Sequence, residues 1–263
     1  MRLGMPALIE LPSPRENAAL CRELGLDFIE LNANLPMYQH LNAEEYRALR
    51  QEYGVRFTVH LDDNMDVADF NPRVAGAYLD TVLETVEEAK QAGVFLINMH
   101  LSRGVDFTLP HKKVYLIEEY RQQYLNRMAA FRDACERAIG DSSLRIAVEN
   151  TGGFLPVQQE ALALLLKSPV FCLNYDVGHH ACAGAEDEAF ILTHREKLCH
   201  MHLHDAQPGR GKDHLTLGTG VLDIPGLLSL MKGEKDTSVV IEVKTEQALR
   251  ASVQWMKEHG LTH

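Results

Sequence analysis

Short apolar segments alternate along the chain with longer segments in which apolar residues recur at helical spacing. The apolar segments predict eight strands, over residues 3–9, 27–31, 56–60, 94–100, 144–149, 170–176, 198–204 and 238–243. The intervening segments predict helices over residues 14–24, 43–53, 72–92, within 113–139, and over 157–166, 225–231 and 246–259. Ser13-Pro14 is typical of a helix start, and a glycine follows each of the first three predicted helices.

Strands that alternate with helices predict parallel pairing, because a helical crossover returns the chain to the same end of the sheet. Eight such units in 263 residues fit an α/β fold, a (β/α)8 TIM barrel. A doubly wound open sheet is the alternative, but its glycine fingerprint after the first strand is absent. Because the chain has no linker, repeat or low-complexity tract, we expect residues 1–263 to form a single domain.

Composition limits the classes of function. Aliphatic and aromatic residues make up 46% of the chain, which is enough for a sizeable core and too much for intrinsic disorder. The chain has 26 Lys and Arg against 37 Asp and Glu, and this net charge of −11 disfavours a general nucleic-acid-binding surface. No apolar run of about 18 residues and no secretory signal occur, so we expect no membrane association. Five scattered cysteines without a Cys-x-x-Cys pair predict reduced thiols and a cytoplasmic location.

Imidazole and carboxylate side chains occur at or near the ends of six consecutive predicted strands. In chain order they are His60, His100, Glu149, Asp176, His202 and Glu242. The carboxyl ends of all strands in a parallel barrel meet at one rim, so these side chains should converge there. A single histidine at a strand end is more often an ordinary polar residue than a ligand, but six such positions together favour a metal site.

Side-chain alternation along the strands strengthens this expectation. The polar residues predicted to face the barrel interior are Thr58, His60, Asn98, His100, Asn174, Asp176, His200, His202 and His204. Barrel interiors are normally aliphatic, and buried polar groups need partners, which a bound metal supplies. This chemistry suits Zn²⁺, Mn²⁺, Co²⁺ or Mg²⁺, and residue type alone does not choose among them. Two further imidazoles, His179 one turn beyond Asp176 and His214 in a glycine-rich loop, are predicted at the same rim.

At these residues the sequence resembles the xylose isomerase-like barrel superfamily. The matching positions are His60, His100, Glu149-Asn150-Thr151, Asp176-Val177-Gly178-His179, His202-Leu203-His204-Asp205, His214, Leu217-Gly218-Thr219-Gly220 and Glu242. They span most of the chain in the order of the superfamily, which includes sugar isomerases and epimerases, related dehydratases and endonuclease IV.

The resemblance to sugar isomerases and epimerases implies one divalent metal held by Glu149, Asp176, His202 and Glu242. It also implies that the metal polarises the substrate oxygens and that Glu149 and Glu242 transfer the proton of a cis-enediol mechanism. His179 would stabilise charge on a substrate oxygen. We therefore expect an isomerase or epimerase of a small sugar or sugar phosphate, with a dehydratase of a hydroxy-keto substrate as a close alternative.

Imidazole and cationic side chains near the rim are the candidates for substrate binding. They are His60, His100, His214, Arg210 and Lys244. An arginine or lysine there would hold a phosphate or carboxylate group of a small polyhydroxylated substrate. Relatives of this type are often dimers or tetramers, so the resemblance also allows a homo-oligomer.

Endonuclease IV is the alternative from another substrate class. Its three-zinc cluster matches this chain at all but one ligand position, where Lys212 replaces an aspartate and counts against a third metal. A second metal would use His60, His100 and Glu149. The loop at residues 61–66 carries three carboxylates that would repel phosphate, and the loop after the second strand has no Arg, so nucleic acid is not the expected partner. A metal-binding barrel without catalytic activity is the last alternative.

Overall fold

Eight parallel strands close into a barrel in the computed structural model, which describes residues 1–183, 187–231 and 236–262 and confirms the predicted fold. The barrel strands, in their order around the sheet, are β1 (Arg2–Pro6), β2 (Phe28–Asn32), β3 (Arg56–His60), β4 (Leu96–His100), β5 (Arg145–Glu149), β6 (Phe171–Asp176), β7 (Leu198–Leu203) and β8 (Ser238–Ile241). Pairing of β8 with β1 closes the barrel.

Helices follow the strands. They are α1 (Pro14–Leu24), α2 (Ala43–Tyr53), α3 (Pro72–Ala92), α4 (Leu116–Glu119), α5 (Arg121–Ile139), α6 (Pro156–Leu165), α7 (Val177–Cys182), α8 (Glu188–Thr193), α9 (Ile224–Ser229) and α10 (Glu246–Glu258). The Ser13 side chain accepts the N–H of Glu16 at the start of α1, and Gly25 ends that helix at φ 76°. None of the helices in the described ranges is both long and apolar enough to cross a membrane.

The strand register brings the predicted site residues to one height at the carboxyl rim. The facing pairs in neighbouring strands are Asn32 with His60, His100 with Glu149, and Asp176 with His202. The outward faces of the same strands carry Leu31, Val59 and Leu203, which are fully buried. The apolar core therefore lies between the sheet and the helices, whereas the upper interior of the barrel is polar.

The segment between β4 and α5 contains a hairpin that the sequence pattern does not predict. Residues Asp106–Thr108 and Lys113–Tyr115 pair antiparallel, and helices α4 and α5 follow within the predicted range 113–139. Helical spacing does not reveal pairing across a loop, so the hairpin is visible only in the structure. The first strand also ends earlier than predicted, at Pro6, and Ile9 is 75% exposed.

The region between β6 and α9 contains more structure than the predicted glycine-rich loop. Helices α7 and α8 follow β6, and a second hairpin pairs Asp205–Gln207 with Lys212–Leu215. This hairpin returns the chain to the rim after β7 and carries His214.

Two cysteines correct the prediction of reduced thiols. Cys172 on β6 and Cys199 on β7 form a disulfide, with their Cα atoms 6.1 Å apart. The register between these two strands is irregular near the disulfide, so side-chain alternation does not predict which residues face each other there. Cys21 and Cys135 are free and buried, and Cys182 is free and partly exposed.

Candidate metal centre

Glu149 at the end of β5 is a buried carboxylate at the rim, with 1% of its side chain exposed. His60 Nε2 and His202 Nδ1 lie 3.4 and 3.2 Å from its Oε2. His100 Nε2 and His179 Nδ1 lie 3.4 and 3.3 Å from its Oε1. Each oxygen of Glu149 thus faces two imidazoles that come from four different elements.

Two amides fix the orientation of this carboxylate. The side-chain amides of Asn98 on β4 and Asn174 on β6 both donate to Oε2 of Glu149, the latter at 3.0 Å. Asn174 also donates to Oδ1 of the Asn98 side chain at 3.1 Å. Because these donors are buried, Glu149 is held in one position whatever binds above it.

The Nδ1 atom of His202 is the point at which the other predicted ligands meet. Oε2 of Glu242 lies 3.0 Å from it, Oε2 of Glu149 lies 3.2 Å from it, and Oδ2 of Asp176 lies 3.8 Å from it. The structure therefore brings together the four side chains that the resemblance implies as metal ligands.

Asp176 is both a rim carboxylate and the N-cap of α7. Its Oδ1 accepts the backbone N–H of His179 at 2.6 Å, which places the His179 ring one turn above the carboxylate. The Asn150 side chain pairs with the backbone of Asp176, since it accepts the N–H and donates to the carbonyl oxygen, both at 2.9 Å.

His204 and His214 form a stacked pair beside Asp176, with ring centroids 4.2 Å apart. His204 Nδ1 accepts the backbone N–H of His214 at 2.7 Å, so its proton lies on Nε2, 3.2 Å from both oxygens of Asp176. His214 adopts a left-handed backbone at φ 51°, and its Nε2 lies 3.4 Å from Oε1 of Glu242. Asp213 Oδ1 lies 2.9 Å from His214 Nδ1.

A buried carboxylate anchors the loop that carries these residues. Asp205 accepts the backbone N–H groups of Gly218 and Gly220 at 3.0 and 2.8 Å on one oxygen, and those of Ala206 and Leu222 at 2.9 and 3.1 Å on the other. The glycines are required here, because a side chain at Gly220 would overlap the Asp205 carboxylate. Asp205 therefore shapes the loop and does not face the ligand cluster.

The histidines and carboxylates of the cluster shift each other's pKa values. Burial disfavours charge on His60 and His179, but the hydrogen bonds and charge of neighbouring carboxylates, mainly Glu149, outweigh it and raise both pKa values to about 9. Burial likewise opposes ionisation of Glu149 and Glu242, yet the charge of His202 leads the effects that hold their pKa values well below the usual range. A divalent cation would therefore displace protons from this cluster as it binds.

Several buried atoms of the cluster lack a hydrogen-bond partner. They include Nε2 of His100, both ring nitrogens of His202 and Oε2 of Glu242. Unpaired lone pairs are costly in a buried site, and imidazole nitrogen with carboxylate oxygen is a donor set that divalent metals accept. The residues present therefore fit a divalent metal ion.

Two residues near the cluster were not predicted as site residues. Glu30 on β2 places Oε1 at 2.7 Å from Nε2 of His202 and Oε2 at 3.1 Å from Nε2 of His200. Burial opposes its ionisation, but the charge of His202 outweighs this and lowers the Glu30 pKa. Asp63 lies 3.7 and 3.6 Å from the Nδ1 atoms of His60 and His100. Glu30 pairs with Thr58 in the neighbouring strand, and Thr58 faces the barrel interior, so Glu30 faces the interior as well. This can be inferred only when the register of the two strands is known.

The two predicted cationic substrate contacts differ in position. Lys244 lies at the rim, with Nζ at 3.6 Å from Oε1 of Glu242, and is 64% exposed. It lines a cavity of about 170 Å³ together with Asn32, Asn34 and Glu242. Arg210 lies on an exposed turn, and none of the contacts among the described residues joins it to the cluster.

Solved structures share this architecture over nearly the whole chain. A D-tagatose 3-epimerase-like protein has a TM-score of 0.79 and 22% identity, covering 98% of this chain and 97% of that one. The IolI protein with a bound zinc atom has a TM-score of 0.75 and 17% identity, covering 99% and 97%. Endonuclease IV from Thermus thermophilus has a TM-score of 0.68 and 21% identity, covering 98% and 100%.

Other structures with this fold include L-ribulose 3-epimerase and a probable dehydratase, so these neighbours are sugar epimerases, an endonuclease and a dehydratase. No curated protein matches the sequence. A sequence profile of the xylose isomerase-like TIM barrel family, however, matches residues 18–259, and the chain therefore belongs to that family.

Proposed function

We propose that this protein is a divalent-metal-dependent isomerase or epimerase of a small sugar or sugar phosphate. The observation that carries the proposal is the arrangement of two buried carboxylates around one imidazole nitrogen. Glu242 and Glu149 lie 3.0 and 3.2 Å from Nδ1 of His202. Glu242 directly follows β8 and Glu149 ends β5, two strands that are not neighbours in the barrel, so a substrate bound between them would meet a carboxylate on each face.

The metal would be held by Glu149, Asp176, His202 and Glu242. A divalent cation at this position supplies a Lewis acid that polarises the substrate carbonyl and makes the adjacent C–H group more acidic. The zinc atom bound in the IolI structure supports a divalent ion, and the mixed oxygen and nitrogen donors suit Zn²⁺, Mn²⁺, Co²⁺ or Mg²⁺.

The two glutamates divide the proton transfer according to their exposure. Glu149, only 1% exposed, would take the proton from the carbon next to the carbonyl, and the electron pair of that C–H bond would move toward the carbonyl oxygen. Glu242, 17% exposed and close to Lys244, is able to exchange protons with water and would return a proton to carbon from the other face. His179, beside Glu149 and Asp176, would stabilise charge on a substrate oxygen.

The surroundings of the cluster favour a small substrate. The cavity beside Glu242 offers the amides of Asn32 and Asn34 to hydroxyl groups and the Lys244 ammonium to a phosphate or carboxylate. The exposed Asp63 beside His60 and His100 adds negative charge at the entrance, which disfavours the approach of a phosphodiester backbone.

Deuterium exchange tests the proposal directly. Protein loaded with Zn²⁺, Mn²⁺, Co²⁺ or Mg²⁺ is incubated in D₂O with a panel of ketoses, aldoses and their phosphates, and the substrate carbons are followed by NMR. Metal-dependent incorporation of deuterium next to a carbonyl, together with formation of an epimer or isomer, is the expected result. Loss of water without an epimer would instead indicate the dehydratase.

Two glutamine variants assign the proton transfer. Glu149→Gln and Glu242→Gln should each lower the turnover by about 10²- to 10⁴-fold, which is typical for loss of a general acid or base. Glu196→Gln is the matched control, because Glu196 is exposed and lies outside the rim. Activity that survives both rim substitutions would refute these roles.

One observation favours a second candidate, a zinc phosphodiesterase like endonuclease IV. His60 and His100 each lie 3.4 Å from a different oxygen of Glu149, an arrangement suited to a carboxylate that bridges two metals. Two or more zinc ions per chain and cleavage of an abasic-site duplex, abolished in Glu149→Ala, would establish this activity. The same result without exchange on any sugar would overturn the isomerase proposal.

A further inference from the structure

Beneath the candidate metal centre, the barrel interior contains a second layer of polar side chains. Glu30 on β2, Thr58 on β3, His200 on β7 and Ser238 on β8 are all buried, each no more than 4% exposed. We propose that Glu30 is a positioning residue that holds the His202 ring through Nε2, so that Nδ1 is the nitrogen presented to the metal. This inference rests on the metal centre of the proposed function.

The contacts of Glu30 account for both of its oxygens. Oε1 lies 2.7 Å from Nε2 of His202, and Oε2 lies 3.1 Å from Nε2 of His200 and accepts the Thr58 hydroxyl at 3.1 Å. All the neighbours are able to donate a hydrogen, and a carboxylate is an acceptor on both oxygens. A glutamate therefore offers an acceptor oxygen to all three donors, and its contact with Nε2 of His202 is a charge contact at 2.7 Å rather than an aligned hydrogen bond.

The second histidine reinforces the direction of these contacts. Nε2 of His200 lies 3.1 Å from Oε2 of Glu30, which only accepts, so the proton of a neutral His200 lies on Nε2. The Ser238 hydroxyl, 2.6 Å from Nδ1 of His200, is then able to donate to that nitrogen. A metal bound at Nδ1 of His202, which faces the oxygens of Glu149 and Glu242, would leave the ring proton on Nε2, toward Glu30. With a metal bound, Ser238, His200, Glu30 and His202 would thus have one consistent set of donors and acceptors.

A carboxylate behind a ligating histidine has two effects on metal binding. It fixes the tautomer and the ring orientation, and its negative charge makes the opposite ring nitrogen more basic. Removing such a partner typically weakens metal affinity by about 10- to 100-fold. A residue that only fills space and satisfies buried hydrogen bonds would have no such effect when an isosteric polar residue replaces it.

The Glu30→Gln substitution separates these roles. Gln has the same length and keeps one oxygen for His202. His200 moves its proton to Nδ1 and the Thr58 hydroxyl turns, so that both accept from the new amide, and the charge is lost. Co²⁺ affinity is measured by the visible absorption of the bound ion in competition with a chelator. We expect affinity at least about tenfold weaker than wild type in a protein that stays folded by circular dichroism.

Thr58→Val is the matched control in the same layer. It removes one donor to Glu30 and leaves the carboxylate in contact with His202, so we expect the Co²⁺ affinity to change by less than about threefold. A Glu30→Gln affinity that falls by less than about tenfold, or by no more than that of Thr58→Val, would overturn the positioning role.

A second measurement needs no substitution at Glu30 and covers the case in which Glu30→Gln does not fold. The ¹⁵N-histidine spectrum of the zinc-loaded protein, with His202 identified through a His202→Gln variant, reports the tautomer. The proposal requires a proton on Nε2 of His202, and zinc on Nε2 with a proton on Nδ1 would overturn it. If wild-type protein binds neither Co²⁺ nor Zn²⁺, the proposed function fails and this inference fails with it. If the wild-type protein binds the metal but the Glu30→Gln affinity or the His202 tautomer differs from the expected result, the positioning role alone is refuted.

Discussion

Gly178, the second residue of α7, tests how tightly the rim is packed. A Cβ added to Gly178 would lie 2.5 Å from Nδ1 of His204 and closer still to its Cε1. Contacts below about 3 Å between such atoms are repulsive, and His204 is fully buried, so the ring must leave its position in Gly178→Ala.

The cost follows from what the His204 ring holds. It accepts the backbone N–H of His214 at 2.7 Å and lies 3.2 Å from both oxygens of Asp176. Leaving these buried groups without partners costs about 1–3 kcal/mol each, and alanine recovers about 1 kcal/mol of helix propensity. We therefore expect Gly178→Ala to lower the free energy of unfolding by about 2–4 kcal/mol.

Gly76 provides the matched control, because it is also a helical glycine. It lies within α3, and a Cβ there would meet no other atom within 4 Å. Gly76→Ala should therefore raise the free energy of unfolding by about 0.5–1 kcal/mol. The same substitution is thus expected to have opposite signs at the two positions.

Urea unfolding followed by circular dichroism measures both variants and a double-mutant cycle with His204→Ala. Once the ring is removed, Gly178→Ala should no longer destabilise and should raise the free energy of unfolding by up to about 1 kcal/mol, because the overlap is with that ring. The reasoning would be refuted by a Gly178→Ala protein as stable as wild type. An equal cost with and without the His204 ring would refute it as well.

Three further predictions concern pH, the loop and the substrate. The pKa values of His60 and His179 are raised to about 9, so their protonated forms stabilise the metal-free fold fully below about pH 6.5, and this stabilisation is lost as the pH rises through about 9. The urea concentration at the unfolding midpoint should therefore decrease as the pH is raised from about 6.5 to about 10, and an unchanged midpoint would contradict this. Asp205→Ala should lower the free energy of urea unfolding by about 2–4 kcal/mol, whereas the control Asp223→Ala, which removes a helix cap, should lower it by about 1 kcal/mol. Equal losses in the two variants would contradict the role of Asp205 as the loop anchor. Lys244→Met should raise KM for a phosphorylated substrate by about tenfold with little change in kcat, and steady-state kinetics with an unchanged KM would exclude the phosphate contact.

The elements that could be predicted from the sequence are those with local signals. Helix α3 and strand β3 have the predicted bounds, because Asn71, Pro72 and Gly93 mark the helix and apolar alternation marks the strand. The hairpin at Lys113–Tyr115 was not predictable, because its strands are defined by hydrogen bonds to a partner rather than by their own pattern.

The candidate site divides in the same way. The sequence identifies the four candidate ligands because the carboxyl ends of all strands in a parallel barrel lie at one rim. These residues are Glu149, Asp176, His202 and Glu242, and they meet at that rim although they are far apart in the sequence. Lys244 and Arg210 are equally good candidates for substrate binding in the sequence. Of the two, Lys244 lies at the rim, whereas the position of Arg210 depends on the conformation of a loop and not on a strand.

The sequence by itself determined the fold class, the order of the strands and the residue types that meet at the rim. Only the tertiary structure decided which atoms face one another. Glu30 and His200 are 170 positions apart, and their contact exists because closure of the barrel brings β2 and β7 across the same interior. The Cys172–Cys199 disulfide likewise depends on the irregular register of two strands. Local sequence sets the direction of a side chain relative to its own strand, whereas a contact needs the position of a second strand, which the whole fold determines.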